Sequence, residues 1–320
     1  MKKYPAILAA LYNQPQLIVL SKLEEIAFLI EHKMRGASVH GQAVNFEAGE
    51  RPDVLCVDLD GQEMAIDHVP AAGGNRQFVA VLPLFGTLFQ HGDMAMDASG
   101  GTSTAQWQRE FSRLDANPSV KTIVIEAHTP GGQVWGTQEA ADVVRAARDT
   151  GRTRIVTVAN SQMASAGVWI GTAASEVYVT PGGEVGSIGV VSMHRDISKA
   201  EELEGTRTTL IATPAKKVQG HEFAPLDDEA LAALQDRNEK TYQRFLQAMS
   251  LNRRVSVSRV ESDFGGGGML KADEAVKAGL ADGVATFAQV MDREVARLKM
   301  AGRKSVKNRA ALAGLEVNGD

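Results

Sequence analysis

Cysteine occurs once, at Cys56, which excludes a disulfide within the chain and any Cys-x-x-Cys metal site. Cys56 lies in the alternating run Val54 to Leu59, where a buried strand thiol is expected, in keeping with a reducing compartment. An excess of positive charge is missing too. The formal net charge is −5, which gives no basis for general nucleic-acid binding. No apolar run approaches the ~18 residues of a membrane-spanning helix. The start, Met1 to Leu11, has the lysines and the short apolar stretch of a leader. It holds Pro5 and runs into Asn13-Gln14-Pro15-Gln16 in place of a small-residue cleavage site, so secretion is not expected. A phosphate loop is lacking as well. The tetraglycine Gly265 to Gly268 is not followed by Lys-Ser or Lys-Thr and reads as a flexible turn.

What is present is the composition of an ordinary globular protein, 44% hydrophobic and 23% charged. Its 320 residues suffice for one large domain or two smaller ones. Leu17 to Met34 carries Leu20, Leu23, Ile26, Ala27 and Ile30 at helical spacing and predicts an amphipathic helix. Gly36 to Gly74 is mixed, with a strand at Val54 to Leu59 and a Gly-rich link at Ala71 to Asn75, a natural boundary. Strands and helices then alternate. Phe78 to Leu84, Thr122 to Ala127, Ile155 to Ala159, Glu176 to Val179, Val190 to Met193 and Thr208 to Ile211 read as strands. Ala105 to Leu114, Thr137 to Arg148 and Ile197 to Leu203 read as helices, with a long loop at Gly86 to Thr104. Strands that are apolar throughout and alternate with helices predict a parallel sheet covered on both faces. After Pro225 the chain turns helical. Asp227 to Leu251 has Leu231, Leu234, Phe245 and Met249 as its expected core positions, and Phe287 to Met300 leads into a basic tail at Arg297 to Arg309.

Three elements have chemical potential. Ser165 stands at a strand-to-helix turn among Ala164, Ala166 and Gly167, small neighbours that let a substrate backbone approach its hydroxyl. It reads equally as a helix cap. Thr129-Pro130-Gly131-Gly132 follows a strand and reads either as ordinary turn chemistry or as a source of backbone N–H donors for an oxyanion. Lys216-Lys217 reads as solvated surface charge, or as a base for a serine if the lysine loses its charge on burial. None of the seven histidines sits in a nucleophile motif, although His128 and His194 stay open as bases.

With these residues quoted, the sequence resembles the signal peptide peptidase A-type serine peptidases of the ClpP/crotonase fold superfamily. Thr129-Pro130-Gly131-Gly132 is similar to the family's Ser-Pro-Gly-Gly turn, and Ala164-Ser165-Ala166-Gly167 to its nucleophile segment. Gly186-Ser187-Ile188-Gly189-Val190 matches the run that follows. Lys217-Val218-Gln219-Gly220 resembles the segment of the catalytic lysine, and Glu274-Ala275 with Gly279-Leu280 the closing pattern. Five such matches in order are specific. Thr129 in place of Ser, Val168 with Trp169 in place of Tyr, and Pro214 in place of Gly depart from the pattern.

The resemblance implies an α/β fold, a ClpP/crotonase-like spiral of mostly parallel strands and helices. An N-terminal helical or mixed appendage (1–74) precedes a serine peptidase domain (75–290), and a basic helical or disordered tail (291–320) follows. It implies Ser165 as nucleophile, Lys217 as general base, and Gly131, Gly132 and Ala166 at the oxyanion and substrate subsite, with no metal and no cofactor. Within the family, the phage-encoded members that mature capsids are the nearest in organisation. That branch implies scaffold, portal or other head proteins as substrates, a homo-oligomeric ring, and a place in the host cytoplasm or procapsid. Degradation of signal or membrane peptides is the alternative within the family. A crotonase-type acyl-CoA enzyme and a non-catalytic capsid scaffold are the alternatives outside it.

Overall fold

The computed structural model of the chain describes residues 11–34, 52–70, 76–91 and 101–317. Residues 1–10 of the leader-like start, the Gly-rich link with the expected boundary, and residues 92–100 of the long loop after Gly86 lie outside the described residues.

The chain opens with β1 (Gln16–Ile18) and α1 (Leu20–Met34), then a hairpin of β2 (Leu55–Asp58) and β3 (Glu63–Ala65). Next come β4 (Phe78–Phe85), β5 (Leu88–Phe89), β6 (Thr102–Ser103), α2 (Thr104–Ala116), β7 (Val120–Thr129), β8 (Gly131–Gln133) and α3 (Thr137–Thr150). β9 (Arg154–Ala164), α4 (Ala166–Gly171), β10 (Glu176–Val179), β11 (Glu184–Gly186) and α5 (Ser198–Leu203) follow. The last part comprises α6 (Asp228–Arg253), α7 (Val257–Asp263), β12 (Met269–Lys271), α8 (Ala272–Ala278), β13 (Gly283–Val284) and α9 (Phe287–Val317).

β4, β7 and β9 form the parallel centre of the larger sheet, with Val79 opposite Thr122 and Ile123 opposite Ile155. β10, β11 and β13 extend it in parallel, while β2, β3 and β12 close its edges antiparallel. The central strands alternate between two buried faces. Ile123, Ile125 and Ile155 meet Trp107, Phe111 and Leu114 of α2 and Ala140 and Val144 of α3. Val79, Val124, Val156 and Val158 meet Val290 and Leu298 of α9. Both faces are covered, so the middles of these strands are apolar, as the sequence predicts. A smaller sheet, in the order β1-β8-β5-β6, lies beside the first. Ser103 caps α2, its hydroxyl accepting the Gln106 N–H.

Four local expectations differ from the structure. The helix predicted from Leu17 starts at Leu20, because Gln16–Ile18 finds strand partners on β8. Thr208 to Ile211 is strand-like in composition but irregular, since no strand among the described residues pairs with it, and Ile211 is 95% exposed. Val190 to Met193 makes isolated bridges through Val191 and Met193, not a continuous strand. Leu231, an expected core residue of α6, is exposed, whereas Leu234, Phe245 and Met249 are buried.

Candidate active site

Ser165 stands where β9 gives way to α4. Its geometry is prepared upstream. β7 and β9 run in register as far as Ala127 opposite Ala159, but the next pair is Thr129 opposite Met163. β9 therefore carries two extra residues and bulges around Asn160 to Gln162. The Asn160 side chain donates to Glu126 at 2.7 Å, and the Ser161 hydroxyl pairs with His128 Nδ1 at 2.6 Å. The bulge also divides the strand's outer edge. β10 pairs with its first half, from Val156 to Ala159, and β11 with its last residues, from Gln162 to Ala164.

At Ser165 the backbone takes φ +50° and ψ −111°. For a residue with a Cβ this region costs about 1–3 kcal/mol. Two bonds hold it there. The Ser165 N–H donates to the Gly186 carbonyl at 2.8 Å, and the Ser165 carbonyl accepts the Trp169 N–H at 3.1 Å. Ser165 occupies the cap position of α4, yet its side chain makes no capping bond. Its Oγ is fully buried and has no hydrogen-bond partner among the described residues. Capping alone does not account for a serine in this state.

α4 is a single turn and a half, too short to stand by itself. α6 braces it. Trp169 stacks on Phe245 with ring centroids 4.7 Å apart. Asn252 Nδ2 donates to the Trp169 carbonyl at 3.2 Å and to Thr172 Oγ1 at 3.1 Å.

The Thr129–Gly132 turn faces Ser165. Thr129 Oγ1 donates to the Gly86 carbonyl at 2.6 Å and accepts the Gly131 N–H at 3.1 Å. Gly131 has φ +98°, and a Cβ on it would overlap the Leu17 carbonyl oxygen and come within 3.0 Å of Ser165 Cβ. Only glycine fits there. A Cβ on Gly167 would collide with Thr129 Cγ2, so the small residue after Ala166 lets the turn and the nucleophile helix close on each other. Ala166, buried as the first residue of α4, carries one of the N–H groups that a helix leaves without an internal partner. Gly131 and Ala166 thus stand beside Ser165, and Gly132 follows Gly131 on β8 against Leu88.

Lys217 is placed elsewhere. It lies on a 3₁₀ turn, Ala215–Val218, and is exposed, while its neighbour Lys216 pairs with Glu229 at 3.1 Å. With Ser165 Oγ unpartnered, Lys217 does not reach it within one chain. The two histidines kept open as bases do not reach it either. His128 is bound to Ser161, and His194 Nδ1 to Asn13 Oδ1 at 3.0 Å. Among the described residues, no three or more His, Cys, Asp or Glu side chains gather as a metal set. Sequence reasoning missed the strand at Leu17, which borders the site. Its signal was the unbroken run Leu17-Ile18-Val19-Leu20, wider than one helical stripe.

Residues 147–300 match the profile of Peptidase family S49. The chain is 29% identical over 287 residues to the capsid assembly protease C of Escherichia phage lambda, covering 88% of this chain and 63% of that protein. It is 27% identical over 286 residues to the head-tail preconnector protein GP5 of Enterobacteria phage P21, covering 86% of this chain and 54% of that protein. It is also 25% identical over 215 residues to protease 4 of Haemophilus influenzae, covering 67% of this chain and 34% of that protein. The chain therefore spans between about a third and two thirds of the length of these relatives. The matched segment contains both Ser165 and Lys217, while Thr129–Gly132 precedes it. Residues 147–300, just under half of the chain, thus carry a likeness to peptidase family S49.

Proposed function

We propose that this chain is a serine endopeptidase that cuts proteins of a viral head during capsid assembly, with Ser165 as nucleophile and Lys217 as general base. The observation that carries the reading is Ser165 itself: a buried, unpartnered hydroxyl on a strained backbone, beside a glycine turn. The viral setting comes from the names of the phage relatives. In the reaction, neutral Lys217 takes the proton of Ser165 as Oγ attacks the peptide carbonyl. Backbone N–H groups at Gly132 and Ala166 hold the oxyanion. The lysine then gives its proton to the leaving amine, and water releases the acyl group.

Lys217 comes to Ser165 from a second copy of the chain in a homo-oligomeric ring. Two features support this. Lys217 is exposed, and the stretch around it carries bare apolar side chains, with Leu203 89% exposed and Ile211 95% exposed. The test has two parts. Intact masses of the wild type and Ser165→Ala, each co-expressed with the head proteins encoded beside it, should differ by fragments seen only with the wild type. Identical masses would leave a scaffold as the better account. Ser165→Ala and Lys217→Ala chains, each inactive alone, should recover cleavage when mixed, and no recovery would count against the shared site.

A further inference from the structure

A strand of this chain already lies across the candidate site. Gln16–Ile18 runs antiparallel to Gly131–Gln133, with Leu17 opposite Gly132. Its other side meets Val191. The Gln16 N–H donates to the Val191 carbonyl at 2.8 Å, and the Val191 N–H donates back to the Gln16 carbonyl at 3.0 Å. The Asn13 N–H reaches the Met193 carbonyl at 2.8 Å, and the Val19 N–H reaches the Pro130 carbonyl at 3.0 Å. The segment is flanked by backbone on both sides, the arrangement in which a cleft takes up an extended peptide by strand addition.

Antiparallel alternation fixes the register at the chemistry. Val19 bonds Pro130, and Leu17 and Gly132 lie two residues away along each strand. Leu17 and Gly132 are therefore a hydrogen-bonded pair, and the Gly132 N–H faces the Leu17 carbonyl. That carbonyl holds the donor assigned above to the oxyanion. The Leu17 carbonyl carbon and Ser165 Cβ each stand 3.0 Å from the point that a Gly131 Cβ would occupy. The Leu17 side chain is fully buried in the main core.

We propose that the groove between Gly131–Gln133 and Val191–Met193 is the site for an extended substrate polypeptide, with an aliphatic side chain where Leu17 lies. Gln16–Ile18 is its resident occupant, a pseudosubstrate strand that leaves before a peptide reaches Ser165. The proposal rests on the serine-peptidase reading of Ser165. A tethered competitor acts at an effective concentration of order millimolar. It therefore shuts out short dilute peptides and yields to a long substrate with further contacts. Its departure also frees the lysine segment, because Asn13 Nδ2 donates to the Gly220 carbonyl at 2.8 Å, three residues past Lys217.

The experiment locks the strand in place. Gln16 exchanges its bonds with Val191, so its pairing with Gln133 is the non-hydrogen-bonded kind, with Cα atoms about 4.5 Å apart. A disulfide spans about 4.4–6.8 Å. The full chain carrying Gln16→Cys and Gln133→Cys is compared oxidised and reduced, so both forms share the same substitutions. One readout is the rate at which a fluorophosphonate probe labels Ser165. The other is binding of a fluorescent peptide with the sequence Tyr12 to Ser21 to the same protein carrying Ser165→Ala. Oxidation should slow labelling about tenfold or more and abolish peptide binding, and a reductant should restore both. Equal labelling and equal peptide binding in the two forms would overturn the groove. Peptide binding to the reduced form alone, with Ser165 unlabelled in either, would keep the groove and overturn the peptidase.

Discussion

Ser165 sits in a backbone region that side chains with a Cβ avoid, and none of the described residues bonds its hydroxyl. Glycine relaxes such a position, so Ser165→Gly should raise the unfolding free energy by about 1 kcal/mol while abolishing cleavage. Denaturant titration reads the first effect, and a Ser165→Gly chain no more stable than wild type would mean the backbone is not strained. Gly167 gives a second prediction. Gly167→Ala drives a methyl into Thr129 Cγ2 and should destabilise the chain by about 1–3 kcal/mol. Thr129→Ser removes that methyl, keeps the hydroxyl that serves Gly86 and Gly131, and should restore most of the loss in a double-mutant cycle. Additive losses would show that the two residues do not meet. Ser165 was legible in the sequence because small residues surround it after an apolar strand. Leu17 was not, because its strand character comes from Gly132, far along the chain, and locally it looks like the first turn of α1.

The elements follow the same division. β4, β7 and β9 were readable because burial on both faces leaves an unbroken apolar run. Thr208 to Ile211 has the same look without a partner edge, and composition alone does not supply one. α4 depends on α6, through Trp169 on Phe245 and the bonds of Asn252. Phe245→Ala should therefore cost about 3–5 kcal/mol and reduce cleavage along with stability. Leu231→Ala, on an exposed position of the same helix, should stay within about 0.5 kcal/mol and leave cleavage unchanged. Melting curves with a cleavage assay separate the two, and a Leu231 effect as large as that of Phe245 would sink the bracing argument.

At the scale of the whole molecule, one charged cluster fastens the C-terminal helix to the sheet. Arg154 reaches Glu176 at 2.7 Å and Glu294 of α9 at 2.9 Å, and Arg293 lies 4.2 Å over the Tyr178 ring and 3.3 Å from Glu176. Burial pushes the Glu176 carboxyl up, but the hydrogen bonds from Arg154 and Tyr178 and the two guanidinium charges outweigh it, so it titrates below its ordinary value of 4.5. A depressed folded value stabilises above the unfolded one and is lost as pH falls through the folded one. Glu176→Gln should lower the melting temperature at pH 7, and the two proteins should converge as the pH drops below the ordinary carboxylate range. A constant gap down to pH ~3 would show that the carboxylate charge is not what Glu176 contributes. Cys56 stands apart from this chemistry. Burial pushes its thiol up to about 11, which keeps it out of exchange with engineered cysteines at neutral pH.

The bonds that fix Ser165 in space are made by main chain: its N–H to Gly186, the Ser187 N–H to Gly268 at 2.7 Å, and the Gly86 N–H to His128 at 2.9 Å. These main-chain bonds are indifferent to which side chains hang from the residues that make them, and the side chains that the frame does need, Thr129, Trp169, Phe245 and Asn252, point into it. Evolution can therefore rewrite the lining of this cleft, at Gln133, Val191 or Met193, without rebuilding the frame. Lineages would diverge in what they cut while Gly131, Gly132 and Gly167 stood still.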